Sequence, residues 1–310
     1  MWEARLGAGI GHAVSLPALA LVGLFVGYIA GMFGMGGGFL LTPTLMYMFG
    51  VPPPMAVGSA LCQTCGTSIA SFLKYRHLKR GEPRIDLVMI GGSLLGVDAG
   101  TRLLLYLNRL GHWRILAGGP SVPAVQVVLG LLFIALLTFT AVFMFRDVWQ
   151  SRRRTEPRGD TTIPGVLVTR VRVPPYLDLP NIGLRQVSVP MMGYVGFLLG
   201  LASGLMGIGG GVLFLPILLY GFGLSLRNAA GTGILLLFVT VVLGTVEQAW
   251  HGNVSLKLAL VLLVGSSVGT QLGALTTHYL PNRTLRLIFV GLVVLAALMI
   301  AGNLWRLVRR

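Results

Sequence analysis

Residues 123–145, PAVQVVLGLLFIALLTFTAVFMF, run for 23 residues without a charged side chain. Wound as a helix at about 1.5 Å per residue, such a run crosses a hydrocarbon layer of about 30 Å. Lipid offers no partner to backbone N–H and C=O groups, so an uninterrupted run of this kind closes its hydrogen bonds within itself, as a helix. The rest of the chain repeats the pattern. Of its 310 residues, 55% are hydrophobic and 11% charged, with a mean hydropathy of +0.82. A soluble domain carries about a quarter charged residues. The fold class is therefore an all-α polytopic membrane protein, placed in the inner (cytoplasmic) membrane as a multi-pass chain.

The net charge of +15 would suggest nucleic acid in a soluble protein. Here the charge collects between apolar runs, in KYRHLKRGEPR (74–84), RDVWQSRRRTEPR (146–158) and the terminal WRLVRR (305–310). That is the bias of cytoplasmic membrane loops, and no aromatic-rich basic segment argues for nucleic acid. Cys62 and Cys65 have the CxxC spacing of a redox pair. They lie in an apolar helix without a βαβ context and are read as small packing residues. The first apolar run lacks a small-residue cleavage site and reads as a retained helix.

Five apolar elements are predicted in each half: 15–33, 37–50, 55–75, 86–107 and 123–145, then 188–206, 210–223, 228–250, 255–279 and 285–305. The last three of each half are long enough to span, and the second of each is short. The halves coincide at an offset of 173. Gly23, Gly27, Gly31, Gly34 and Gly36 to Gly38 fall on Gly196, Gly200, Gly204, Gly207 and Gly209 to Gly211. Pro43, Tyr47, Gly50 and Gly58 fall on Pro216, Tyr220, Gly223 and Gly231, and GSLLGVDAG (92–100) falls on GSSVGTQLG (265–273). The chain divides into transmembrane repeat 1 (1–145), a basic cytoplasmic linker (146–187) and transmembrane repeat 2 (188–310). Within the linker, VLVTRVRV (166–173) alternates in strand fashion and suggests a short β element or hairpin, the alternative being a plain extended linker.

Equivalent loops differ in charge. The loop after the third element is densely basic in half one (74–84) and nearly neutral in half two (250–257, WHGNVSLK). The positive-inside rule places them on opposite sides, so the repeat is inverted. Either five crossings per half or three crossings plus a broken, re-entrant pair tipped by the glycine cluster satisfies this. The short second element favours the latter. The Arg-rich C-terminus, which this topology puts outside, disagrees.

Non-helical backbone at membrane depth is tolerated inside protein or beside a water-filled cavity. Triple-glycine breaks let backbones approach and expose amides, and the helices that follow them present anion-attracting N-termini. Two such breaks near the midplane are the plan of repeat-built secondary transporters. Gly36, Gly37, Gly38, Gly209, Gly210 and Gly211 are therefore candidate substrate-binding positions. Gly23, Gly27 and Gly31, four apart, read instead as a small-xxx-small packing face.

GMGGGFLLTPTLMYMFGVPP (34–53) followed by AVGSALCQTCGTS (56–68) resembles the first signature of the TauE/SafE sulfite-exporter family. GIGGGVLFLPILLYGFGLSLRNAAGTG (207–233) resembles the second, and GSSVGTQLGA (265–274) resembles the small-residue helix that ends each half. The resemblance covers both transmembrane halves and not the linker. It implies a permease with an inverted repeat that moves small sulfur oxyanions or organosulfonates, mostly outward.

Polar side chains at membrane depth are costly and usually functional. Ser59, Gln63 and Thr67, spaced four apart, form one stripe of neutral donors suited to an oxyanion; Thr232 continues it in half two, and Asn228 opens that helix as a candidate cap. Asp98 lies in an apolar run with Gln271 as its repeat partner, so this pair is the candidate for proton coupling. Arg102, one turn on, leaves three readings open: a local ion pair with Asp98, a modulator of a proton on Asp98, or a substrate clamp. Glu247 and Gln248 read as interfacial. His12, His77, His112, His251 and His278 lack metal-ligand spacing, and no nucleophile–base pair, P-loop or HExxH is present.

The function expected is a secondary exporter of small sulfur-containing anions, such as sulfite or sulfoacetate, working by alternating access. An anion channel or a permease for another small organic anion is the alternative, and an enzyme is not expected. No cofactor is expected beyond coupling to the proton gradient. The partners expected are a small anion and the lipid bilayer, with a homodimer left open.

Overall fold

The computed structural model describes residues 3–4, 14–33, 36–77, 83–114, 121–152, 173–179, 184–222, 226–280 and 282–309. Two short strands, β1 (Glu3–Ala4) and β2 (Val14–Ser15), pair ahead of α1 (Leu16–Phe33). Then follow α2 (Gly38–Tyr47), α3 (Pro53–His77), α4 (Pro83–Arg109), a hairpin of β3 (His112–Arg114) and β4 (Ser121–Pro123), and α5 (Ala124–Arg152). A second hairpin, β5 (Tyr176–Leu179) with β6 (Leu184–Ser188), leads into α6 (Val189–Met206) and α7 (Gly211–Pro216), which continues as one π-helical stretch, Ile217–Gly221. The chain ends with α8 (Leu226–Trp250), α9 (Leu256–Tyr279) and α10 (Asn282–Arg309).

Each apolar element read from the sequence is a helix. Among the described residues, six are long and apolar enough to cross a bilayer: α1, α4, α5, α6, α9 and α10. At 18 residues, α1 and α6 reach about 27 Å and count among the six. The 25-residue α3 and α8 are also long enough to span, and the part of α8 over Leu235–Trp250 is an apolar helix. The linker segment 166–172 lies outside the described residues; the hairpin that is described begins after it, where the Ser188 hydroxyl donates to the Val173 carbonyl at 2.8 Å.

The most extensive helix contacts are between α4 and α6 and between α1 and α9. Small residues explain both. A Cβ built on Gly23 would come 2.5 Å from the Leu262 carbonyl oxygen, and Cβ atoms on Gly27 and Gly31 would overlap Ser266 and Thr270 backbone. On the other interface, Gly196, Gly200 and Gly204 stand in the same way against Met89, Ser93 and Val97. The partners 262, 266 and 270 are 89, 93 and 97 displaced by the same 173 positions. The reciprocal glycines behave alike: Gly92, Gly96 and Gly100 abut Gly193, Phe197 and Leu201, while Gly265, Gly269 and Gly273 abut Ala20, Leu24 and Tyr28. Hydrocarbon gives helices no hydrophobic reason to associate, so close backbone packing of small residues does the work. Each half thus packs its first helix against the fourth helix of the other.

The remaining contacts follow the same exchange. α3 meets α8, α5 meets α10, and α3 with α9 answers α4 with α8. Short α2 lies wholly inside, every residue from Gly38 to Met46 buried. Phe289 of α10 closes over it, 6.3 Å from Phe39 and 5.1 Å from Phe33 between ring centres. Large apolar side chains such as Leu21, Leu95, Val264 and Leu298 face outward, as a bilayer requires.

Candidate functional site

The two glycine breaks lie back to back at the centre. Gly34 and Met35 are outside the described residues. Gly36 has φ +64°, Gly207 +72°, Gly209 +63° and Gly210 +79°, all in the left-handed region that only glycine adopts freely. This ends α6 at Gly207 and restarts the chain as α7 after Gly210. Gly37 precedes α2 with an ordinary φ of −71° and no side-chain cap. Gly38 touches the Gly207 carbonyl and Ile208, and the Thr42 hydroxyl donates to that same carbonyl at 3.4 Å.

Both breaks converge on one pair of side chains. A Cβ on Gly36 would come 2.5 Å from Thr64 Cγ2 and 3.7 Å from Leu237. One on Gly209 would meet the same Thr64 methyl at 3.4 Å and Leu237 at 3.9 Å. Positions 64 and 237 are again 173 apart, so this point is where the two halves coincide. Beside it is a cavity of about 10 Å³, lined by Leu199, Gly209, Gly210, Phe214, Leu236, Leu237 and Thr240. That is room for about one water; the centre is closed.

The polar stripe of α3 is buried throughout but does three different things. Ser59 accepts the Ser255 backbone N–H at 3.2 Å, pinning the start of α9. Thr67 donates to its own helix, to Thr64 O at 3.1 Å. Gln63, 1% exposed, accepts from the Thr64 hydroxyl at 3.4 Å through Oε1, while its Nε2 has no partner. A buried amide donor without an acceptor costs about 1–3 kcal/mol, so it stands out as a group made to meet something else. On α8, Thr232 is buried. Asn228 falls inside the first turn, because the helix begins two residues earlier at Leu226; its side chain is outside the description. Thr240, the repeat counterpart of Thr67, donates to the Ser93 hydroxyl of α4 at 3.4 Å.

Asp98, Arg102 and Gln271 are not at the breaks. Arg102 Nε donates to Asp98 Oδ1 at 2.9 Å, one turn apart on α4. They line a groove of about 720 Å³ between α4 and α8, together with Tyr106, Arg109, Glu247 and His251. Gln271 faces outward from α9. Sequence reasoning did not single out Asp86, and its reading of Gln248 as interfacial is corrected by burial. Gln248 is fully buried, donates to the Gly204 carbonyl at 3.4 Å and accepts from Asn253 Nδ2 at 2.9 Å, which ties the α8–α9 turn to α6. Asp86, 2% exposed in the first turn of α4, has an unpartnered Oδ1. Cys62 and Cys65 are free and half-buried. Among the described residues, no three His, Cys, Asp or Glu side chains gather as metal ligands.

Broken helices buried among long apolar ones, meeting at the centre of a swapped helical bundle, define a multi-pass membrane transporter rather than an enzyme. The comparisons agree. The family described as sulfite exporter TauE/SafE matches residues 19–300, and the chain belongs to that family. It is similar to two probable membrane transporter proteins of Bacillus subtilis (strain 168). YunE is 24% identical over 285 residues, covering 89% of this chain and 93% of YunE; YjnA is 25% identical over 287 residues, covering 91% and 98%. A probable membrane transporter protein of Xylella fastidiosa (strain Temecula1 / ATCC 700964) is 26% identical over 279 residues, covering 88% of this chain and 91% of its own. No solved structure matches.

Proposed function

We propose that this chain is a secondary exporter of small sulfur-containing anions, sulfite or organosulfonates such as sulfoacetate. It works by alternating access between two repeats of inverted topology. The observation that carries the reading is Gln63: a fully buried amide with a free donor, next in sequence to the threonine on which both glycine breaks converge. A neutral donor beside left-handed glycine backbone offers N–H groups to an oxyanion without a competing cation. Gly36 to Gly38, Gly209 to Gly211, Thr67, Asn228 and Thr232 are proposed to complete the binding surface once it opens. Ser59 and Arg102 are assigned to the outer frame, because one holds the α9 start and the other faces the groove.

Inversion rests on the charge of the two equivalent loops, and the exchange of packing partners at one constant offset supports it. The closed centre favours a carrier over an open anion channel, since a carrier must bury its cargo between two access states. The family membership supports sulfur anions as cargo. Purified chain in proteoliposomes, challenged with sulfite, sulfoacetate, taurine, sulfate and chloride, tests this directly. Saturable flux of one sulfur anion, lost in Gln63→Leu, is the expected result. Non-saturating flux would mean a channel, and flux of none of the sulfur anions would overturn the substrate assignment.

A further inference from the structure

Residues 173 positions apart hold equivalent places in the two swapped helix pairs, α4 with α6 and α9 with α1. Asp86 and Thr101 on α4 and Ser203 on α6 each bury a polar atom that has no partner: Asp86 Oδ1, Thr101 Oγ1 and Ser203 Oγ. Their counterparts on α9 and α1 are Ala259, Ala274 and Ala30. Asp86 is 2% exposed and Ala259 3%, so the two places are equally closed. Alanine satisfies the packing there, and an unpartnered buried polar group costs about 1–3 kcal/mol. The fold therefore does not require the carboxyl. Burying an unpaired carboxylate costs far more than burying the neutral acid, so Asp86 rests in the closed centre with its proton. We infer that Asp86 is the proton-binding residue of this carrier, loaded in the closed state and emptied when the end of α4 that carries it opens to the cytoplasm.

The placement connects this residue to the glycine breaks. Asp86 stands in the first turn of α4, just after the basic loop 74–84 that the positive-inside rule puts in the cytoplasm. Ser93 lies two turns further on the same face, about 10 Å along the axis. It accepts from the Thr240 hydroxyl of α8 at 3.4 Å, and Thr240 lines the small cavity beside the second break. Thr101 follows about two turns beyond, where a Cβ on Gly204 of α6 would come 3.1 Å from its Oγ1. Ser203 precedes that glycine, one turn before the break at Gly207. The other pair keeps Ser266 in the middle and alanine at the other three places, so the carrier has this proton residue in one half alone. Asp98, which the sequence marked for the proton, is half-exposed and already paired with Arg102 at 2.9 Å. Of the elements packed on α4, α6 brings the outward Tyr194, α5 the exposed Arg146, α3 the half-buried Cys62 and Cys65, and α8 Glu247 near its far end. Arg84 on α4 itself is exposed, as are Tyr176 and Asp178 of the hairpin before α6. None of these partners Asp86 Oδ1; the side chains of residues 70–83, 179–186 and 223–231 lie outside the description. The proton site stands on the burial of Asp86 and its contrast with Ala259; its role in coupling rests on the carrier reading above.

The test is pH-difference infrared spectroscopy on the purified full chain in lipid, with no substrate present. A protonated-carboxyl C=O band titrates in the wild type and is lost in Asp86→Asn, while Asp98→Asn and Glu247→Gln keep it. Asp86→Ala, which installs the residue that the other half uses, unfolds at the wild-type temperature or above. Absence of the band in the wild type, its survival in Asp86→Asn, or its loss in Asp98→Asn or Glu247→Gln overturns the inference. A lower unfolding temperature for Asp86→Ala overturns it too, by making the carboxyl a part of the packing. In proteoliposomes with sulfite as the probe, proton movement that accompanies sulfite is lost in Asp86→Asn. Unchanged proton movement in that variant, or sulfite flux without proton movement in the wild type, overturns the coupling role and leaves the carrier reading intact. No sulfite flux in the wild type, with the band present, refutes sulfite as cargo and upholds the proton site.

Discussion

Gly38 rests against the carbonyl of Gly207, so the chain breaks of the two halves touch through backbone alone. Nothing at this contact can rotate away. Gly38→Ala is expected to destabilise the fold by about 1–3 kcal/mol or more through overpacking. Gly37→Ala meets the Val26 side chain first, with the Val26 carbonyl oxygen next at 3.2 Å, and Val26→Ala relieves the closer clash. Thermal unfolding in detergent should show a drop for Gly38→Ala that Val26→Ala does not relieve, and a drop for Gly37→Ala that it does.

Gln63→Leu places in half one the residue that half two already has at Leu236. It removes a buried donor with no acceptor, so stability should hold or rise by about 1 kcal/mol while transport disappears. A variant as stable as the wild type with normal flux would make Gln63 a packing residue.

Ser59→Ala should behave in the opposite way. The Ser255 N–H loses its acceptor, which costs about 1–3 kcal/mol, yet flux per folded molecule stays near the wild-type value. Flux normalised to folded protein by size-exclusion yield separates the two effects.

Gly27→Ala and Gly200→Ala strike the two swapped interfaces at equivalent points, Ser266 and Ser93. Both should lower the unfolding temperature by similar amounts, and the double variant by their sum, because the interfaces share no residue. Gly291→Ala in α10, where nothing lies within 4 Å, should instead stabilise by about 0.5–1 kcal/mol through backbone entropy. Three equal rises would show that helix propensity, not packing, decides.

Much of this fold is legible in residue order. A run such as 123–145 has one economical form in lipid, so helix existence and rough limits follow from length and apolarity. The packing role of Gly23, Gly27 and Gly31 was also readable, since a four-residue glycine spacing marks one helix face. Their partner was not: that α1 lies on α9 of the other half depends on how two repeats interlock, which no local pattern encodes. The stripe Ser59, Gln63 and Thr67 illustrates the same limit. Spacing puts the three on one face of α3, but a helix face nine residues long crosses several neighbours. Ser59 meets the α9 start, Gln63 is left with a free donor, and Thr67 bonds back to its own turn.

The sequence alone determined the class of protein, the ten helices, the 173-residue correspondence and the glycine breaks, because each depends on local chemistry: apolar length, glycine's freedom at positive φ, and recurrence along the chain. Only the tertiary structure decided which groups those breaks approach, that the centre is closed, and that Asp98 and Glu247 line one groove between α4 and α8. Most of those relations join residues in different halves of the chain, and they exist only once backbone packing between small residues has fixed one helix against another.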